Sequence, residues 1–298
     1  MEKYLHKIDF NEILNPLEYS KINKTSEEIA AEFILKLRQK QQVDLKELYT
    51  IQPGKKLDLK KNRIIPLKSS NFNELINGGF QEDRIYLLYG RYASGKSQIC
   101  HHICVSLYNL CDKDEEKPEI LFIDTEDTFR PERIIQISKS YEFDGKELLK
   151  HINVINISST EKMNFFFSRL DKQGLPKNVR LIIIDSFTNW VRVELGDQES
   201  STQKVRDNLI SILEKLHRFK KTHKIPIVLT SQVRGIGSET SGFNVKPVME
   251  YVLNEYIDES ILLSRTDDDK KFAFLVNSKD LQENNIQFEL SVEGVVDP

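Results

Sequence analysis

From residue 62 onward, short apolar runs alternate with stretches of helical periodicity. The runs that predict strands are RIYLLY, EILFID, INVINI, VRLIIID and IPIVLTS. The helical patterns between them lie near residues 96–111, 131–141, 160–172 and 201–223. Strands of a parallel sheet are buried on both faces, so they appear as almost continuous apolar runs. The alternation therefore predicts an α/β core with a mostly parallel central sheet.

The two ends of the chain depart from this alternation. After residue 258 the segments ESILLSR, KFAFLVN and IQFELS predict antiparallel strands, with TDDDK as a tight turn. Near the N-terminus, TSEEIAAEFILKL has the capping-box pair Thr25 and Glu28 before an amphipathic repeat. We expect a helical N-terminal segment with a linker over residues 1–60 and the core over residues 61–298. The basic stretch IQPGKKLDLKKNR is either a solvated linker or a nucleic-acid or partner contact.

Composition and charge restrict the class of protein. The chain has 298 residues, of which 39% are hydrophobic and 30% charged, and a net charge of −3. This is a globular composition without a global attraction to nucleic acid or membranes, so any DNA contact must come from local patches. The sequence shows neither an apolar run of about 18 residues nor a secretory leader. We therefore expect an intracellular protein without a membrane partner.

The three cysteines predict no disulfide framework, because their number is odd. Cys100, His101 and Cys104 could together hold a metal. Packing of an apolar helix explains the same residues more simply, because cysteine is a common core residue.

Residues 90–97, GRYASGKS, match the pattern G-x-x-x-x-G-K-[ST] between a predicted strand and a predicted helix. This is the context of a phosphate-binding loop, whose main-chain N–H groups point at phosphate oxygens. Lys96 adds a positive charge for the terminal phosphates, and Ser97 adds a hydroxyl for Mg²⁺. The predicted nucleotide-binding residues of this segment are Gly90, Arg91, Tyr92, Ala93, Ser94, Gly95, Lys96, Ser97 and Gln98.

Three further polar residues follow predicted strands. Asp185 ends LIIIDS, where a carboxylate can reach the metal beside the phosphate loop. Glu126, beside Asp124 in FIDTEDTFRPERI, can orient or deprotonate the attacking water, or can cap its loop instead. Gln232 in VLTSQV can contact the γ-phosphate and pass its presence to the following loop. No N-K-x-D guanine signature follows the phosphate loop, so ATP is favoured over GTP.

Together, the segments SNFNELINGGF, GRYASGKSQICHHI, FIDTEDTFRPERI, LIIIDS and LTSQV resemble the RecA/RadA-type recombinases of the archaeal and eukaryotic branch. The resemblance covers about residues 62–298. It implies a RecA-like phosphate-loop ATPase core that uses ATP and Mg²⁺. It also implies a role for each matching residue: phosphate binding by Lys96, Mg²⁺ binding by Ser97 and Asp185, catalysis by Glu126, contact with adenine by Arg133, and coupling of ATP to DNA by Gln232.

The parts that such recombinases use for filaments and DNA differ here. The subunit-docking pattern F-x-x-A is absent, and residues 191–204, where the first DNA-binding loop should be basic, carry two bases and three acids. Met249 and Glu250 stand where the second loop has a glycine pair, with Glu255 near its histidine. Asn277-Ser278-Lys279 replaces the subunit-bridging Asp-x-Pro. The nucleotide machinery is therefore retained, while the filament and DNA parts have diverged.

These differences suggest a RadB-like recombinase paralogue, a DNA-dependent ATPase that assists homologous recombination and DNA repair. We expect it to join oligomers with a main recombinase or other paralogue subunits, in the cytoplasm of an archaeon or the nucleus of a eukaryote. Single- or double-stranded DNA would bind through Arg234, Phe243 and Lys246 in VRGIGSETSGFNVKP, although Phe243 could simply pack its loop. The alternatives are a self-sufficient, filament-forming recombinase and a nucleotide-gated scaffold without a DNA role.

Two other stretches remain open to two interpretations each. EKLHRFKKTHK, residues 214–224, predicts a solvated basic helix face or a surface for DNA or a partner. In NFFFSRL, the consecutive Phe165, Phe166 and Phe167 cannot all lie on one side of a helix, so core packing competes with a partner groove.

Overall fold

A computed structural model describes residues 63–111, 116–196, 202–235 and 245–298. The predicted N-terminal helix and basic linker of residues 1–60 lie outside the described residues, so they stay predictions. The strands are β1 Ile64–Ile65, β2 Phe80–Gln81, β3 Ile85–Gly90, β4 Glu119–Asp124, β5 Ile152–Asn156, β6 Val179–Asp185, β7 Ile227–Ser231, β8 Val233–Gly235, β9 Val245–Pro247, β10 Glu259–Arg265, β11 Lys271–Ser278, β12 Asn284–Ser291 and β13 Gly294–Val296.

Helices occupy the segments between most of these strands. They are α1 Ser70–Leu75, α2 Lys96–Asn109, α3 Pro131–Ser138, α4 Gly145–Leu149, α5 Thr160–Gln173, α6 Asn189–Gly196, α7 Thr202–His223 and α8 Glu250–Tyr256, with a 3₁₀ turn at Lys139–Tyr141. In the described part of the chain, no helix is long and apolar enough to cross a bilayer.

Within the described residues, nine strands form one sheet in the order β13-β12-β11-β10-β3-β7-β6-β4-β5. The strands from β10 to β5 are parallel to their neighbours, and β11, β12 and β13 extend the sheet in antiparallel register. This confirms the predicted α/β class and the antiparallel C-terminal strands. The predicted TDDDK turn joins β10 to β11, with Asp269 at a positive φ of 62°.

Successive residues of the parallel strands alternate between two apolar layers, as a pleated sheet requires. One layer packs against α1, α2 and α3, and the other packs against α5, α7 and α8. Cys100 and Cys104 are fully buried in the first layer, where burial raises the pKa of the Cys100 thiol well above its usual value. Because the central strands are parallel, their carboxyl ends meet along one edge of the sheet, between the two helical layers. The strands that end there are β3, β4, β6 and β7.

The basic stretch 214–224 is not a uniformly solvated face. Lys215 and Lys220 are buried, and Lys220 forms an ion pair with the buried Asp258. The solvated-face interpretation is wrong for these two lysines, because the stretch lies along α7 and every third or fourth position turns toward the sheet. Among the three phenylalanines, Phe165 is 65% exposed and Phe167 is fully buried, so the helix divides them as its geometry requires.

Candidate nucleotide-binding site

The backbone of the loop between β3 and α2 requires glycine at two positions, Gly90 and Gly95. A Cβ on Gly90 would lie 2.2 Å from the main-chain oxygen of Leu263, so β10 leaves no space for a side chain there. Gly95 has a φ of +108°, in the left-handed region that favours glycine. No side chain caps α2 at this residue. The first N–H groups of the helix are therefore free to receive an anion.

Lys96 is the cation of this loop. Its ammonium donates to the main-chain oxygens of Gly90 and Arg91, each at 2.9 Å. Burial lowers the pKa of Lys96, although the charges of Asp185 and Glu126 act in the opposite direction. Among the described residues, no carboxylate forms an ion pair with Lys96. Its positive charge is therefore held in this loop by neutral carbonyl groups.

Asp185 ends β6 beside this loop and is buried. Its two oxygens accept hydrogen bonds from the hydroxyls of Thr230 at 2.5 Å and Thr128 at 3.1 Å. Both donors are neutral, so they orient the carboxylate without cancelling its charge. Ser97 and Asp185 line the same cleft and supply the oxygen ligands that Mg²⁺ prefers. In the described part of the chain, no cluster of three or more His, Cys, Asp or Glu side chains could hold a metal alone, so phosphates and water would complete the coordination of Mg²⁺.

The two acids after β4 have different roles. The Asp124 carboxylate accepts hydrogen bonds from the main-chain nitrogens of Glu126 and Thr128, both at 3.1 Å, and of Phe129 at 2.9 Å. Asp124 therefore caps its own loop. The Glu126 carboxylate lines the cleft instead. Its contacts favour the interpretation of Glu126 as a base over the loop-capping alternative.

Gln232 contacts Glu126 across the cleft. Its side-chain nitrogen lies 2.9 Å and 3.1 Å from the two carboxylate oxygens of Glu126. Gln232 stands between β7 and β8, and β8 forms a short antiparallel ladder with β9. The amide therefore connects the acid of the cleft to the hairpin that carries residues 236–244.

The walls of one cleft bring these groups together. Its volume is about 410 Å³, and it is lined by Tyr92, Ala93, Gly95, Lys96, Ser97, Gln98, Glu126, Thr128, Arg130, Asp185, Ser186, Gln232 and Leu290. One hydroxyl of this lining, Ser186 Oγ, is buried without a hydrogen-bond partner in the described structure. Buried polar atoms rarely lack partners in native proteins. The unpartnered hydroxyl, the free amides and the ammonium fit a magnesium-bound polyphosphate.

Four predicted nucleotide-binding residues, Gly90, Arg91, Ser94 and Arg133, lie around this cleft rather than in its walls. Gly90 is buried at the end of β3, and Arg91 lines a neighbouring depression beside β10. Arg133 lines a separate groove along α3. Its guanidinium donates to Gln98 Oε1 at 2.6 Å and to the main-chain oxygen of Ser291 at 2.6 Å. The predicted contact of Arg133 with adenine stays a prediction.

The predicted DNA-binding residues are only partly described. The backbone of Arg234 on β8 pairs with that of Lys246 on β9, and Phe243 lies outside the described residues. The Lys246 ammonium lies 2.7 Å from the carboxylate of Glu250, so part of its charge is neutralised. Met249 has a positive φ of 60°. The resemblance expects a glycine there, and the left-handed backbone is present without it.

Several residues of the site have no separate signal in the sequence. Thr128 and Thr230 bind Asp185 although neither belongs to a phosphate-loop pattern. From the sequence, His101 is only a candidate metal ligand. In the structure, its ring contacts Ser97 and Arg130. Its position four residues after Ser97 is the one signal that could have placed it beneath the first turn of α2.

Comparisons with known proteins agree with this geometry. The family model described as Rad51 matches residues 60–298. The chain is 28% identical over 257 residues to the DNA repair and recombination protein RadA of Aeropyrum pernix, covering 86% of this chain and 79% of that protein. It is 26% identical over 233 residues to a DNA repair protein RAD51 homolog of Solanum lycopersicum, covering 77% of this chain and 68% of that protein. The chain therefore belongs to the Rad51 family of RecA/RadA-type recombinases.

Proposed function

We propose that this protein is a magnesium-dependent, DNA-stimulated ATPase that acts in homologous recombination and DNA repair as an accessory paralogue of a main recombinase. One observation carries the proposal. A single cleft contains a lysine, an arginine, two carboxylates and the uncapped start of α2, and the partners of these charged groups are neutral. Such a cleft is prepared for a ligand that brings both negative phosphates and a cation.

Each group has a defined task in hydrolysis. The loop amides and Lys96 bind the phosphates and stabilise the charge that grows on them in the transition state. Ser97 and Asp185 would hold Mg²⁺, which when bound neutralises phosphate charge. Glu126 accepts a proton from the attacking water, once its carboxylate is released from the Gln232 amide.

The Glu126–Gln232 contact supports the dependence on DNA. In the described state, Gln232 binds both carboxylate oxygens, so Glu126 is not free to orient water. Movement of the β8–β9 hairpin on a nucleic acid would shift Gln232 toward the phosphate side of the cleft. We infer that DNA contact through Arg234, Phe243 and Lys246 releases Glu126 in this way.

The accessory role is supported by the charges of the predicted DNA loop and by the names of the relatives. Both relatives are described as DNA repair proteins, and one of them also as a recombination protein. The pairing of Lys246 with Glu250 weakens the attraction to phosphate that an independent strand-exchange protein requires. We infer an intracellular protein that works in oligomers with other recombinase subunits.

Calorimetry with Mg-ATP tests the nucleotide part. We expect the unmodified protein to bind Mg-ATP and Lys96→Ala to bind it about 100-fold more weakly, because charge-assisted hydrogen bonds to phosphate are lost. Lys177→Ala is the matched control, since Lys177 is exposed before β6 at the opposite end of the sheet. Equal affinity of the Lys96→Ala and unmodified proteins would overturn the proposal.

Hydrolysis and assembly assays with single-stranded DNA test the accessory part. We expect DNA to raise the turnover of ATP, and Arg234→Ala with Lys246→Ala to abolish both that stimulation and salt-dependent DNA binding. Long regular filaments formed by the protein alone would favour a self-sufficient recombinase. DNA binding that the double variant leaves intact would contradict the assigned loop.

A further inference from the structure

The imidazole of His101 joins two parts of the nucleotide site. His101 lies in α2, four residues after Ser97, and its side chain is buried. Its Nδ1 lies 2.5 Å from the main-chain oxygen of Ser97, and its Nε2 lies 3.0 Å from the main-chain nitrogen of Arg130. A main-chain N–H can only donate, so Nε2 accepts and Nδ1 carries the proton that is donated to Ser97. One neutral ring thus bridges the helix and the loop.

The main-chain N–H groups of loop 125–130, which carries Glu126, are held from three sides. The main-chain oxygen of Asp185 accepts one of them, and the Asp124 carboxylate accepts three. His101 accepts the last, at Arg130. Asp124 belongs to the strand from which the loop starts, and Asp185 to the strand beside it. Among the described residues, the bond to His101 ties Arg130, at the far end of the loop, to the helix of the phosphate-binding loop, and Arg133 in α3 adds a bond to Gln98 of the same helix.

Aromatic packing fixes the orientation of the ring. The imidazole stacks on Phe129 with 5.4 Å between ring centroids and lies 5.9 Å from Phe122. The stacking partner Phe129 precedes Arg130 directly, so stacking and hydrogen bonding act on the same end of the loop. Replacement of this ring should therefore change the position of the loop, because the packing around the ring is not loose.

We propose that His101 is a positioning residue that sets the placement of Glu126 relative to Ser97 and Lys96. The inference rests on the proposed ATPase function and deepens it. The ring is buried and contacts the main chain of Ser97 and Arg130, so it acts through the loop. Its loss should lower the turnover number and leave nucleotide affinity unchanged, because the amides and the lysine that bind phosphate stay in place.

The test compares His101→Phe, which keeps an aromatic ring without a donor or acceptor, with His101→Gln, whose side-chain oxygen can accept from Arg130. We expect His101→Phe to lower kcat about 10- to 100-fold, since a displacement of about 1 Å can cost about 100-fold. The KM for ATP should change less than twofold, and His101→Gln should recover most of the turnover. Amide hydrogen exchange at Arg130 should accelerate in His101→Phe and stay slow in His101→Gln.

His102→Phe is the matched control on the same helix. His102 is also buried, but it bonds to Tyr141 Oη at 2.7 Å and accepts from the main-chain nitrogen of Val295 at 2.9 Å. We expect this variant to lose thermal stability while its kcat stays within twofold of the unmodified value. Equal losses of kcat in His101→Phe and His102→Phe would show a merely structural role and overturn the inference.

Failure of the inference and failure of the proposed function are distinguishable. Unchanged kcat and unchanged Arg130 exchange in His101→Phe would overturn the inference while hydrolysis by the unmodified protein sustains the function. If the unmodified protein hydrolyses no ATP, the proposed function fails. Exchange at Arg130 then still decides whether His101 holds the loop.

Discussion

Both ends of the parallel sheet bury carboxylates, and the two ends neutralise them differently. At the carboxyl end, Asp185 accepts from two threonine hydroxyls, Asp124 accepts from main-chain N–H groups, and Glu126 accepts from the amide of Gln232. Every donor there is neutral. The half-buried cation Lys96 nearby is held by carbonyl oxygens.

At the amino end, buried carboxylates are paired with cations. Asp258 lies 2.5 Å from Lys220 and 2.7 Å from Lys279, and it also accepts from the main-chain nitrogen of Ile85. Glu259 lies 2.7 Å from Arg84, which also binds an exposed aspartate. The charges at this end are balanced within the chain itself.

The difference separates a structural network from a binding site. A buried charge costs free energy unless an opposite charge or several hydrogen bonds compensate it. The amino end meets most of that requirement with cations of the chain itself, although Glu259 Oε2 has no hydrogen-bond partner in the described structure. The carboxyl end keeps opposite charges apart with neutral partners, so the polyphosphate and cation that we propose would complete the compensation.

The largest expected effect is on hydrolysis by Glu126→Gln. The amide cannot accept the proton of the attacking water, so we expect the single-turnover rate to fall about 1,000-fold. Affinity for Mg-ATP should stay within a few fold, because Lys96 and the loop amides are unchanged. Measured hydrolysis equal to that of the unmodified protein would remove Glu126 from catalysis.

Replacement of one lysine at each end of the sheet, the buried Lys220 and the half-buried Lys96, should change the unfolding free energy by different amounts. Lys220→Met leaves the Asp258 carboxylate partly uncompensated, and we expect it to lose about 3 kcal/mol of unfolding free energy. Lys96→Met removes a cation that has only carbonyl partners, and we expect a change within about 1 kcal/mol in the nucleotide-free protein. Urea denaturation measures both. Equal losses of unfolding free energy would mean that the two ends of the sheet do not differ in how their charges are compensated.

Acid should act on the amino end through Asp258. Burial raises the pKa of this carboxyl, but the bonds from Lys220, Lys279 and Ile85 lower it more, so its pKa lies below the usual 3.8. The charged form therefore stabilises the fold above that value, and this contribution is lost as the pH falls through the folded-state pKa. We expect the acid-dependent part of the unfolding free energy to shrink in Asp258→Asn. An identical pH dependence in both proteins would contradict this.

The smallest expected effect is that of Lys279→Met. Lys279 pairs with the same carboxylate as Lys220, but half of its side chain is exposed. Water screens its charge, so we expect a loss of less than about 1 kcal/mol. If Lys279→Met lost as much unfolding free energy as Lys220→Met, the strength of these ion pairs would not depend on their exposure.

The fold class, and the prediction of a phosphate-binding loop, follow from local patterns in the sequence. Apolar runs predict buried parallel strands, and GRYASGKS is a local pattern whose function depends on the conformation of neighbouring residues. Because such information lies within a few residues, it can be read without knowledge of the rest of the chain. The positions of Asp185 and Gln232 after predicted strands followed from the same reasoning.

Which polar groups are in contact could not be predicted from the sequence and is seen in the folded chain. Asp124 and Glu126 are two residues apart in one motif, yet one caps the loop while the other contacts Gln232, 106 residues away. Lys220 lies in a basic stretch, but it is buried against Asp258 from another element. The partner of a charge depends on which distant strands are neighbours in the sheet, and composition or periodicity in one segment does not carry that information.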